Sequence, residues 1–129
     1  MTFDAIGIAA TGLTVDRHWM DAISDNIANI NTIKPTSGPA FQARYVVAQE
    51  GAGTSGVYVA GAAYGSAAGI LTNDPTNPLA DAQGNVLRPD IDLGEQMSQL
   101  IMAQRSYEAN ANVVDRAKES YQAALQIGK

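Results

Sequence analysis

Residues Gly51-Ala52-Gly53-Thr54-Ser55-Gly56 have the GxGxxG spacing of a dinucleotide-phosphate loop, and Asp74 stands about 20 positions on, where such a site carries its ribose-binding acid. A loop of this kind grips a pyrophosphate only if a helix begins within it and aims backbone N–H groups at the anion. Here Val57-Tyr58-Val59 follows, a β-branched and aromatic run suited to a strand. The segment therefore reads as a connecting loop. His18 is the only histidine. With Asp16 and Asp21 close by but no cysteine and no second imidazole, it makes a poor zinc site and reads as a contact residue beside Arg17 and Trp19. Carboxylates pair on paper at Asp90 with Asp92 and at Asp115 with Glu119. Acid–base work needs a pocket that desolvates one member, whereas Asp115 and Glu119 flank Arg116 and Lys118 on what reads as a solvated helical face. No serine or threonine has a placed base. These residues point to no reaction, and no cofactor or metal is expected.

The charge balance narrows the partners. Among the 129 residues, 8 are basic and 13 acidic, a net charge of −5. A phosphate-tracking surface needs clustered Lys and Arg, so nucleic acid is not an expected partner. The amino terminus carries no basic residue before its apolar stretch, and Asp4 interrupts that stretch early; a cleaved signal peptide has the opposite layout. No run approaches the roughly 20 apolar residues of a membrane span. The lack of cysteine excludes disulfides.

Three regions differ in pattern. From Phe3 to Ile33, apolar residues recur every seven positions: Ile6, Leu13, Met20 and Ile27 in one row, and Ala9, Asp16, Ile23 and Ile30 in a second. Two rows with that offset form a helical seam, and Asp16 is a polar break able to fix register. From Asp92 onward, Leu93, Leu100, Tyr107, Val114 and Tyr121 repeat in the same way, with Met97, Gln104, Ala111, Lys118 and Leu125 beside them. Asp92 followed by Glu95 is a capping-box arrangement. A helix of about 35 residues there would be roughly 50 Å long. Between the helices lie all the prolines and the strand candidates Phe41 to Ala48, Gly56 to Ala60 and Asn85 to Leu87. The expected class is α+β: terminal helices in 1–34 and 91–129, paired as a coiled-coil-like hairpin, around a small irregular β-rich insert in 35–90. The insert has too little apolar surface to cover both stripes, so the helices must pair and bury the remainder against neighbouring subunits.

One motif is more specific. Ser24-Asp25-Asn26-Ile27-Ala28-Asn29-Ile30-Asn31-Thr32 ends the first helix. An asparagine at a helix end can take the left-handed conformation and satisfy orphan carbonyls, which accounts for Asn31-Thr32 before Lys34-Pro35. Asn26 and Asn29 lie inside the helical stretch. Buried in a helix array, their amides would donate and accept across subunits and set register.

This segment resembles the amino-terminal signature of flagellar rod and hook proteins. The segments 77–86, Pro89-Asp90-Ile91-Asp92, Glu95-Gln96-Met97 and Ala103-Gln104-Arg105-Ser106-Tyr107-Glu108-Ala109-Asn110 resemble the proximal branch of the flagellar basal-body rod family. Departures are Asn85, where that branch usually has an aromatic, the variant turn 33–38, and the Gly/Ala-rich stretch 51–69, which has no clear counterpart. The resemblance implies a subunit exported through the flagellar type III apparatus without a cleaved signal. It would polymerise in the periplasm with copies of itself and with rod subunits of the FlgB, FlgF, FlgG and FliE types. Its helices would line the channel of a hollow shaft that transmits torque for motility. The candidate assembly interface is Leu13, Met20, Ile23, Asn26, Ile27, Asn29, Asn31, Thr32, Leu93, Met97, Leu100, Arg105, Tyr107, Asn110, Val114 and Tyr121. Two other readings compete. A secreted helical hairpin of the Trp-x-Gly type lacks a β insert, and Trp19-Met20-Asp21 does not match its turn. Another short rod subunit is disfavoured by 77–86.

Overall fold

Two long helices flank four short strands in the computed structural model, which describes residues 2–128, an α+β arrangement. Met1 and Lys129, the outer ends of the expected terminal helices, lie outside the described residues. Helix α1 is Thr2–Ala28 and helix α2 is Leu93–Ile127. Strands β1 (Arg44–Glu50) and β2 (Val57–Tyr64) make one two-stranded sheet, and β3 (Ile70–Asn73) and β4 (Asn85–Arg88) make another. The elements group into two units: residues 1–20, 46–61 and 100–129, and residues 21–45 and 62–99. Each helix contributes one part to each unit.

In the first unit, the buried positions among the described residues are Ala9, Gly12, Asp16 and Ala103, nearly all small. A Cβ added at Gly12 would lie 2.7 Å from Asn110 Nδ2, so α1 and α2 approach closely here. The GxGxxG segment is the turn from β1 to β2, closed by a 2.7 Å bond from Gly51 N–H to the Gly56 carbonyl. Gly56 has φ 78°, and a Cβ there would meet Thr11 Oγ1 at 2.1 Å. Only glycine fits on both counts. Thr11 Oγ1 accepts the Val57 N–H at 3.0 Å, which seats the turn against α1.

The second unit has larger core residues. Ala22, Ile23, Asn26, Ala40, Ala43, Val86 and Gln96 are buried. Antiparallel β3–β4 pairs Ile70 with Arg88 through Asn73 with Asn85, and Lys34 bridges to Leu87 beyond it. The connecting loop is ordered by its own side chains: Asp81 accepts from the N–H groups of Asn85 and Gln83, both at 2.9 Å, and from the Thr36 hydroxyl at 3.0 Å. These bonds, the Asn85 N–H foremost and Thr36 and the Gln83 and Gly84 N–H groups after it, hold the Asp81 carboxyl below its usual 3.8, outweighing the opposing effect of desolvation.

Boundaries shift from the sequence expectation for identifiable reasons. The α1 helix stops at Ala28 rather than Ile33. Asn29 Nδ2 donates to the Asp25 carbonyl at 2.9 Å, and Thr32 Oγ1 donates to Asn29 Oδ1 at 3.0 Å. These bonds compete with helix continuation. No described non-glycine residue has positive φ, so the helix ends by side-chain capping and a tightened turn rather than by a left-handed asparagine. At the start of α2, Asp92 Oδ1 takes the Glu95 N–H at 2.7 Å, half of the expected box, while the Glu95 carboxylate accepts from Gln99 Nε2. Strand β2 runs on to Tyr64 through alanine and glycine, which carry no strand signal, and β3, absent from the strand candidates, is defined by its pairing with β4.

Candidate assembly surface

Position on the helices decides which expected interface residues can meet another molecule. The row Ala9, Asp16 and Ile23 of α1 is buried, as its spacing indicated. Leu13, Met20 and Ile27 of the companion row are half-buried. Asp16 accepts from Asn110 Nδ2 at 2.8 Å, so the polar break in the seam is matched by an amide on α2.

On α2 the inward row differs by one position from the second row read in the sequence. Gln96 and Ala103 are buried and Asn110 and Ala117 half-buried, again seven apart. Met97, Gln104, Lys118 and Leu125 are exposed. The inward row is polar or small, so a search for apolar repeats passes over it. Leu100, Tyr107 and Val114 are half-buried beside it. Met97 is 45 % exposed, Ile101 49 % and Leu125 54 %, all on a helix whose last turns are exposed throughout. Leu93, Arg105 and Tyr121 are exposed as well. Ile101, Met102, Val113 and Ile127, absent from the expected interface, are also exposed apolar side chains. Their signal in the sequence was an excess of apolar residues over what one stripe can hold.

The asparagines of the signature motif divide. Asn26 is fully buried and bonded within the chain, to Arg44 and Gln96. Asn29 caps its own helix. Asn31 is exposed and accepts from Arg88 at 2.9 Å, and Thr32 is half-buried.

The residues that could have done chemistry are dispersed. His18 is exposed on α1 while Asp16 is buried against Asn110. No group of three His, Cys, Asp or Glu able to hold a metal occurs among the described residues. No helix among them is long and apolar enough to cross a membrane.

The chain is similar to known proteins over nearly its whole length. The pattern of the flagellar basal body rod FlgEFG protein C-terminal region matches residues 82–127, which covers β4 and all of α2. The flagellar basal-body rod protein FlgC of Escherichia coli O6:H1 is 34 % identical over 126 residues, 95 % of this chain and 94 % of that protein. FlgC of Borreliella burgdorferi is 34 % identical over 147 aligned positions, 97 % and 96 % of the two chains. FlgC of Bacillus subtilis is 30 % identical and covers 98 % of each.

Proposed function

Since the chain belongs to the flagellar basal-body rod protein FlgC family, and is a structural subunit of the flagellar rod that serves motility, we propose that it polymerises through the outward apolar side chains of its terminal helices. The observation that supports this reading is the set of exposed apolar residues on α2, Met97, Ile101 and Leu125 foremost. Apolar surface of that extent on one helix is a docking surface in need of cover, at about 25 cal/mol per Å² removed from water. The regions 1–34 and 91–129, which carry α1 and α2, act as the assembly regions and 35–90 as the insert. Of the interface residues named from the sequence, Leu93, Met97, Arg105 and Tyr121 face the neighbour, and Leu13, Met20, Leu100, Tyr107 and Val114 close the seam within the first unit. Ile23, Asn26 and Asn110 hold the subunit in shape for that contact, and Ile27, Asn29, Asn31 and Thr32 flank it at the end of α1.

The partners are copies of this chain and other rod subunits of the FlgB, FlgF, FlgG and FliE types, reached after passage through the flagellar type III export apparatus. The work is mechanical: a stiff, closely packed shaft in the periplasm carries torque, and no bond is made or broken. Substitutions that place charge on the exposed row test this. Met97→Asp and Leu125→Asp should leave the stability of the purified chain within about 0.5 kcal/mol of the parent. They should allow export yet abolish swimming and rod growth. Normal swimming in both would refute the proposed contact.

A further inference from the structure

A single primary amide does for Arg44 what a neighbouring strand does with a peptide group. The Arg44 N–H donates to Asn26 Oδ1 at 2.8 Å, and Asn26 Nδ2 donates back to the Arg44 carbonyl at 3.0 Å. Asn26 Nδ2 also donates to Gln96 Oε1 at 2.9 Å. Next to it on α1, Asp25 pairs its carboxylate with the Arg44 guanidinium. Two successive residues near the end of α1 therefore hold both the backbone and the side chain of the first residue of β1. One of them also holds the first turns of α2.

Burial makes these bonds interdependent. Asn26 is 0 % exposed and Gln96 1 %. A primary amide donates two hydrogens, and here both are taken. If Gln96 is withdrawn, a hydrogen of Asn26 is left unpaired inside the protein. If Asn26 is withdrawn, Gln96 Oε1 and the Arg44 backbone lose their partner. Either loss penalises the same closed arrangement, because water does not reach these groups while it stays closed. Gln96 Nε2 is buried without a hydrogen-bond partner, which lowers the stability of the closed form and keeps it able to open.

We propose that Asp25, Asn26, Arg44 and Gln96 form a latch through which the end of α1, the start of β1 and the start of α2 order and release as one cooperative unit. This gives the signature motif a task inside the subunit, separate from any contact between subunits, and it stands whether or not the assembly contact proposed above is right.

Native-state hydrogen exchange of the purified chain in rising urea tests the latch without mutation. The amides of Asn29, Arg44 and Gln99 should converge on one opening reaction with a common urea dependence. Three separate openings would overturn the proposal. Gln96→Ala should speed exchange at the Arg44 amide by roughly tenfold or more, although the bond from that amide goes to Asn26; an unchanged rate would overturn it. Gln99→Ala, in the following turn of the same helix, should leave the Arg44 amide as it was. Equal acceleration there would reduce the latch to general fraying of α2 and overturn it as well.

Discussion

Asn26 and Asp16 are both buried polar residues on α1, one in each unit, and their surroundings differ. Asn26 makes three bonds, two to the Arg44 backbone and one to Gln96, beside a core that includes Ile23 and Val86. Asp16 has Asn110 as its amide partner, in an interior of alanine and glycine at positions 9, 12 and 103. Small residues let helix backbones approach closely but remove little apolar area from water. The unit around Asn26 thus carries a core of its own. The unit around Asp16 relies on close approach and leaves the larger apolar side chains of α2 outside.

Perturbations of graded size sharpen that contrast. Ile23→Ala empties the larger core and should cost about 2–5 kcal/mol in urea unfolding. A loss below 1 kcal/mol would erase the distinction. Asn110→Leu leaves the Asp16 carboxylate buried without its amide, at about 1–3 kcal/mol, and the effect should disappear in an Asp16→Leu background, which a double-mutant cycle reads. Gly12→Ala forces a Cβ to 2.7 Å from Asn110 Nδ2 and should cost about 1–3 kcal/mol. Pairing it with Asn110→Ala should restore part of the loss. The smallest effect belongs to Asp81. Its carboxyl titrates below its usual 3.8 in the folded chain, so the stability it lends is complete at pH above that value and is lost as pH falls through the lower folded value. Asp81→Asn should flatten the acid limb of the stability–pH curve by lowering stability slightly near neutrality, and the two curves should converge at low pH.

The contrast also explains what could be read from the sequence. Both helices, the seam through Ala9 and Ile23, and the strand character after Gly56 follow from spacing and side-chain type, because each places an apolar or β-branched residue where a period demands one. The inward row of α2 does not, since Gln96 and Asn110 look like surface residues until their partners are known. The same blind spot hid the role of Asn26, whose amide seemed free to reach another subunit and is used at home. Strand β3 was not among the strand candidates: Ile70–Asn73 runs straight into the Asp74-Pro75 turn signal, and the antiparallel pairing with β4 defines it.

The turn between β1 and β2 has a practical consequence. Its base is fixed by the bond from Gly51 to Gly56 and by Thr11 under Val57, while residues 52–55 are exposed and Gly53, with φ 62°, has open space around it. Extra residues inserted beside Gly53 would loop into solvent without disturbing either helix, at a closure cost that grows only slowly with their number. That tip is the natural place for an epitope or a small fluorescent tag, by which subunits could be counted and followed in living cells.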